Sequence, residues 1–244
     1  MYKILSPFRI LLWAVWSICC ILFSFLVYAV TLKKENTVWF CKHLWAPMST
    51  IIPGVKLNIT SNNKINFNNP HVYISNHQSF LDIPIIVRAV NALIYFVAKK
   101  ELKKLPFLGW YITISGMIFV DRSNRTKAIE SMKNAAKMVK AGKNVLTFPE
   151  GTRSKNGNLL PFKKGAFLLA IDAEVPIVPI VIAGSGKIFP SNKIIFKPGP
   201  ASVKLLDPID TASYKKENVD DLINLCQNLI ETEKELLEKS LQNS

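Results

Sequence analysis

Residues 126–154 read TKAIESMKNAAKMVKAGKNVLTFPEGTRS, and this stretch decides the fold. Ala128, Ile129, Met132, Ala135, Ala136 and Val139 recur at the three- and four-residue spacing of one helical face, and Gly142 stands where such a helix stops. Residues 144–148 then run apolar, like a buried strand, before Pro149 and Gly151 force a turn. Outward from it, residues 94–98 and 177–182 are short, apolar and rich in β-branched side chains, as strands covered on both faces are. Strand and helix alternate, which predicts an α/β fold: a mixed, largely parallel sheet flanked by helices.

The flanks add elements of other kinds. Pro53-Gly54 opens the globular part, and the Asn-rich stretch 61–69 predicts a hairpin loop between strands at 55–60 and 71–75. Residues 193–197 and 201–206 read as closing strands. Residues 218–242 read as an amphipathic helix with Leu222, Ile223, Cys226, Leu229 and Ile230 on its apolar face. Upstream, residues 10–32 carry no charge, and as a helix they reach about 34 Å, enough to cross a hydrocarbon core. A helix lying in one leaflet fits as well, because Lys3 and Arg9 on one side balance Lys33, Lys34 and Lys42 on the other. A cleaved signal peptide is the third reading, against which the apolar run is long. Residues 37–45 interleave Trp39, Phe40 and Trp45 with Lys42 and His43, as interfacial helices do, although both tryptophans also suit a core. The expected organisation is an N-terminal membrane-embedded helical module at 1–50 and a catalytic domain at 51–244.

Composition narrows the partners. The 244 residues carry a formal charge of +14, which calls for an anionic partner, yet 49% are hydrophobic, which favours a lipid surface over nucleic acid. Gly184-Ser185-Gly186-Lys187 lacks the upstream glycine and following Ser/Thr of a phosphate-binding Walker loop. Four scattered cysteines (Cys19, Cys20, Cys41 and Cys226) give neither a disulfide framework nor a metal knuckle and read as reduced thiols. A serine hydrolase would need a Gly-x-Ser-x-Gly elbow, which is missing.

Four blocks carry chemistry. In Asn76-His77-Gln78-Ser79-Phe80-Leu81-Asp82, one helix would hold His77 and Asp82 about 140° apart, so His77 must precede the helix for the two to meet. With Ser79 as N-cap, Asp82 at the third helical position leans back toward it. General base catalysis by His77 is one reading; a capping box from Asp82 to Ser79 is the other. Residues 116–122 end an apolar run in Asp121-Arg122 at an expected strand end, where ligands bind in such sheets or a surface ion pair forms. Phe148-Pro149-Glu150-Gly151-Thr152-Arg153 offers a guanidinium fork for phosphate, with Glu150 able to orient it or a hydroxyl; Thr152 equally suits a cap. The block Val175, Pro176, Ile177, Val178, Pro179 suits an edge strand or a strand entrance, and its side chains read as the wall of an acyl chain or as core.

In order and spacing these blocks resemble the glycerolipid acyltransferases, and among them the 1-acylglycerol-3-phosphate acyltransferases, whose Asn-His-x4-Asp, Gly-x-x-Phe-x-Asp-Arg, Phe-Pro-Glu-Gly-Thr-Arg and Val-Pro-x-x-Pro patterns fall here at 76–82, 116–122, 148–153 and 175–179. The resemblance implies a catalytic dyad of His77 and Asp82. It implies that Arg122, Glu150, Gly151, Thr152 and Arg153 hold the substrate's glycerol phosphate, and that Val175, Pro176, Ile177 and Pro179 lie by the acyl donor. The implied reaction takes an acyl group from acyl-CoA or acyl carrier protein to the 2-hydroxyl of lysophosphatidate, giving phosphatidate, with no metal or other cofactor; the alternatives are transfer to another lysolipid acceptor and a non-enzymatic basic lipid-binding protein of the membrane. The expected partners are membrane phospholipid, lysophosphatidate and the thioester donor, with no nucleic acid. The expected location is a membrane, on the cytoplasmic face of the inner (plasma) membrane if the source is bacterial. Lys99, Lys100, Lys103, Lys104, Lys163 and Lys164 form basic surface able to draw anionic lipid or an acidic carrier.

Overall fold

A computed structural model describes residues 2–62 and 64–242; Met1, Asn63 of the expected loop, and Asn243 and Ser244 at the end of the expected catalytic domain lie outside them. The chain opens with α1 (Tyr2–Thr31), α2 (Lys34–Phe40), a π-helical turn at Cys41–Trp45 and α3 (Ala46–Ile51). It continues through β1 (Val55–Ser61), β2 (Val72–Ser75), α4 (Asp82–Ala89), β3 (Ile94–Lys99), a 3-10 turn at Lys100–Lys104, α5 (Leu108–Ile114), β4 (Ile118–Val120) and α6 (Arg125–Lys140). It closes with β5 (Asn144–Thr147), α7 (Gly165–Ala173), β6 (Ile177–Ala183), α8 (Ser185–Ile188), β7 (Gly199–Leu205) and α9 (Val219–Gln242).

Seven strands form one sheet in the order β1-β7-β6-β2-β5-β3-β4, and of its neighbouring pairs only β6 and β7 run antiparallel. The mixed, largely parallel sheet expected from the sequence is the one observed. Central strands β2, β5 and β6 are buried at every position, which is why β6 reads as an unbroken apolar run and the polar residues of β2 and β5 stand only at their ends. One face packs against α6, α7 and α9, the other against α4 and the N-terminal helices.

Four expectations need correction. No hairpin joins β1 to β2: β7 and β6 lie between them, and β1 pairs in parallel with β7. The burial pattern explains it, for the largely wet β1 suits an edge whereas β2, buried on both faces, takes parallel partners on each side. Residues 193–197 form no strand; the Phe196 amide donates to the Ser6 hydroxyl of α1 at 2.7 Å instead of to a neighbouring strand. Of the two readings of the Val175–Pro179 block, the edge fails and the strand entrance holds at Pro176, just before β6: that strand runs between β7 and β2, and the N–H that Pro179 lacks falls between the Ile180–Leu205 pairing and the Ile177–Ile209 bridge. Finally, Ile129 and Leu229 point outward, while the buried stripe of α9 continues through Lys234.

The N-terminal helices are fused to this body. Ala46 is fully buried in the core beneath α4, and the Lys42 ammonium donates to the carbonyls of Val90 and Ala92. Trp13 lies edge-on to Phe189 and Phe196, the Trp45 indole donates to Ser17, and Phe25 meets Trp110 of α5. Trp39 is exposed and Trp45 half-buried.

Candidate active site

The site is built at the carboxyl ends of the parallel strands, where the chain leaving β2 meets the chain leaving β5. Asn76 extends the β2–β6 pairing by one step with its side chain: its amide donates to the Ile182 carbonyl and its carbonyl accepts from the Ile182 N–H, both at 2.9 Å. His77 is thereby fixed just beyond a fully buried strand end.

The imidazole then meets Asp82, with Nδ1 2.7 Å from Oδ2. A carboxylate only accepts, so Nδ1 carries the proton and Nε2 presents its lone pair. The same Oδ2 accepts the backbone N–H groups of Gln78 at 2.7 Å and Ser79 at 2.8 Å, so the capping contact and the histidine contact share one oxygen. Ser79 is not the N-cap that the sequence suggested. A tight turn delays the helix until Asp82, and the Ser79 hydroxyl donates to the Phe189 carbonyl and accepts from Leu81 N–H. Asp82 is fully buried, whereas the His77 side chain keeps 15% exposure, as a base that must reach a substrate requires.

The turn after β5 closes over the dyad. Phe148 stacks on the imidazole with centroids 3.9 Å apart, and Ser154 N–H donates to the His77 carbonyl at 2.8 Å. Glu150 is buried; its Oε1 accepts His77 N–H at 2.7 Å and its Oε2 accepts Leu160 N–H at 3.0 Å. Burial pushes its carboxyl up to about 7, against the pull of those two amides. Glu150 therefore ties the backbone at His77 to the backbone at Leu160.

Cations gather on the outer side of the same turn. The Arg153 guanidinium lies 3.6 Å over the Phe80 ring, and its Nη1 is buried without a protein hydrogen-bond partner among the described residues. Arg122 Nη1 donates to the Gly151 carbonyl, and Lys163 lies across Gly151, where an added Cβ would come within 2.9 Å of its Nζ. Gly151 also holds φ +72, a conformation that side chains resist. Thr152 is exposed beside them. Asp121 instead takes the ion-pair reading: Lys100 bonds it at 2.7 Å and holds its carboxyl down at about 2.

The sequence-predicted residues His77, Asp82, Arg122, Glu150, Gly151, Thr152 and Arg153 thus converge. Val175, Pro176 and Ile177 do not: Val72 pairs with Ile177 at the amino ends of β2 and β6, the far end of the sheet from His77. Pro179, opposite Ile74, is nearer and fully enclosed.

A family model described as acyltransferase matches residues 56–183, just over half the chain and every residue of the dyad and its cation rim. The chain belongs to the acyltransferase family. The 1-acyl-sn-glycerol-3-phosphate acyltransferase of Saccharomyces cerevisiae is 34% identical over 208 residues, covering 84% of this acyltransferase and 68% of that protein. The Haemophilus influenzae enzyme of the same name is 40% identical over 161 residues, covering 66% of each. This acyltransferase thus spans about two thirds of the length of those curated relatives. The crystal structure of the 1-acyl-sn-glycerophosphate (LPA) acyltransferase PlsC from Thermotoga maritima superposes with a TM-score of 0.81 at 25% identity, covering 97% of this chain and 98% of that one.

Sequence reasoning gave no individual role to four residues of this acyltransferase that the geometry singles out. Asn76 and Phe148 were quoted within motifs, Ser79 was read only as a cap, and Lys163 only as basic surface. Adjacency to His77 signalled the first; the others depend on tertiary contacts 110, 71 and 12 positions apart in sequence, between Ser79 and Phe189, His77 and Phe148, and Gly151 and Lys163.

Proposed function

We propose that the protein transfers a fatty acyl group from an acyl thioester, acyl-CoA or acyl carrier protein, to the 2-hydroxyl of 1-acylglycerol-3-phosphate, giving phosphatidate at a membrane surface. One observation carries the reading: the turn after β5 brings the cations Arg122, Arg153 and Lys163 together next to the His77–Asp82 pair, a base beside a phosphate cradle. The relatives' names supply the acceptor, and the chemistry of the base supplies the step.

His77 Nε2 takes the proton of the acceptor hydroxyl as its oxygen attacks the thioester carbonyl, and Asp82 stabilises the imidazolium that forms. The tetrahedral intermediate collapses, the C–S bond breaks, and Nε2 returns the proton to the leaving thiolate. The N–H groups of His77, Gln78 and Ser79 are all committed to carboxylates, so the oxyanion takes its donors from other groups. Arg153, with its unsatisfied Nη1, and Arg122 bind the acceptor phosphate.

The attachment of α1 favours a helix within one leaflet. Ser6 and Phe25 both touch the catalytic body, about 28 Å apart along the helix, close to the thickness of a bilayer core. A body gripping both ends of α1 cannot stand wholly outside a bilayer which that helix crosses. Its exposed apolar residues, from Ile4 to Val30, therefore face acyl chains from one side.

The test is phosphatidate synthesis by purified protein in vesicles with lysophosphatidate and labelled oleoyl-CoA or oleoyl-carrier protein. Product with one donor and none with His77→Ala is expected. Product from another lysolipid alone would reassign the acceptor, and full activity in His77→Ala would overturn the mechanism.

A further inference from the structure

Between β3 and β4 the chain runs through a 3-10 turn and α5, a segment that neither the dyad nor the phosphate cradle uses. Leu105, Leu108 and Trp110 are 47%, 38% and 52% exposed, an apolar cluster too concentrated for ordinary wet surface. The opposite side of α5 is anchored, with Tyr111 and Ile112 buried and Ser115, at its end, bonded to Thr37 at 2.9 Å. The segment is also tightly built. Phe107 holds φ +61, and a Cβ on Gly109 would stand 2.4 Å from the Lys103 carbonyl, so the 3-10 turn and α5 are in backbone contact.

Two observations say what covers this cluster. It is continuous with the lipid-facing side of α1: Trp110 lies 6.4 Å from Phe25 and 5.4 Å from Phe107, and Phe25 shares its helical face with the exposed Leu22, three residues back. Its rim is basic, for Lys103 and Lys104 are exposed and have no acidic partner among the described residues, while the nearby acids face other lysines, Glu101 3.6 Å from Lys99 and Asp121 2.7 Å from Lys100. Apolar tip, tryptophan and lysine rim together match the headgroup boundary of an anionic bilayer.

We infer that residues 105–110 form a second membrane-inserting wedge that seats the catalytic domain on an anionic phospholipid surface. The wedge has a consequence for the site. β4 is only three residues long and carries the chain from α5 directly to Asp121 and Arg122, so the depth of the wedge sets the height of Arg122 against the lipid phosphates. The inference rests on α1 lying in the same leaflet, and the experiment separates the two.

Wild-type protein and Trp110→Phe are reconstituted in mixed phosphatidylcholine–phosphatidylglycerol vesicles, and the difference in their emission isolates Trp110. Blue-shifted difference emission, quenched by bromine-labelled acyl chains and shielded from aqueous iodide, is expected. Difference emission quenched by iodide and untouched by bromolipid overturns the wedge; bromolipid quenching of the tryptophans left in Trp110→Phe would, in that event, still uphold the placement of α1. In a second arm, Leu105→Glu/Leu108→Glu should lower kcat/KM about tenfold for an acceptor embedded in vesicles and leave a short-chain, water-soluble acceptor unchanged, whereas Leu105→Met/Leu108→Met should behave as wild type. Equal loss on both acceptors, or none on either, overturns it.

Discussion

The two sides of the turn that carries the site are built on different principles. On the dyad side, three successive N–H groups from His77 to Ser79 all donate to carboxylates, and Asn76 is stitched into the sheet. On the cation side, Arg153 leaves a buried donor unpaired and Lys163 has no carboxylate partner among the described residues. The contrast teaches a division of labour. The base must hold one geometry through the reaction, which favours complete internal bonding, whereas phosphate recognition needs donors that the protein itself has not consumed.

The largest expected effect tests the rigid side. His77→Ala should lower the rate of acyl transfer by roughly a thousandfold or more while leaving the unfolding temperature close to wild type, because the imidazole is the moving part and the carboxylates around it remain bonded to backbone. Rates are measured by single-turnover transfer, and stability by thermal unfolding in detergent. A loss below tenfold would mean that the contact with Asp82 serves only the turn.

Arg153→Ala comes next. Loss of a charge-assisted phosphate contact should raise KM for the phosphorylated acceptor by about a hundredfold and leave hydrolysis of the acyl thioester by water little changed. Loss of both in equal measure would move Arg153 to the rigid side, as a brace on Phe80.

Glu150 sits between the two sides and sharpens the boundary. Glu150→Gln puts an N–H2 where one of two backbone donors needs an acceptor, so kcat should fall about tenfold with KM nearly constant. A rise in KM alone would instead make Glu150 a substrate contact. The stability should report it independently. Its folded-state pKa is raised from 4.5 to about 7, chiefly by burial, so folding strengthens its hold on the proton. That contribution is complete below pH 4.5 and is lost as pH rises toward 7, by about 3 kcal/mol at most. The difference in unfolding free energy between wild type and Glu150→Gln should slope across that window and flatten outside it.

Much of the rigid side was legible in the sequence, because its logic is local. A short strand, an Asn-His pair at its end and an Asp five residues after the His are all visible between residues 72 and 82. The helical face at residues 126–141 and the strand at 144–147 were equally plain. What stayed hidden depended on distant partners. Both oxygens of Glu150 bond backbone that the motif reading had no means of placing. The apolar run 193–197 read as a strand because its neighbour, the Ser6 hydroxyl 190 positions away, supplies the hydrogen bond that a strand would have supplied. At residues 175–179 two prolines signal an edge or a strand entrance: Pro176 does stand at the entrance to β6, whereas a gap in the β7 pairing absorbs the missing N–H of Pro179 inside the sheet.

The smallest predicted effect falls on Lys163, and its size is informative. Lys163 is exposed, so its attraction for a phosphate is screened by water, and it keeps much of its side-chain freedom. Lys163→Met should therefore raise KM for the phosphorylated acceptor only about threefold, with kcat unchanged and the effect fading at high salt. Arg153, whose Nη1 is buried against Phe80, should keep most of its effect at the same ionic strength. A salt-insensitive loss at Lys163 would place its ammonium in direct, desolvated contact with the phosphate and extend the cradle across Gly151. A glycine there, rather than any residue with a Cβ, is what lets the lysine lie so close.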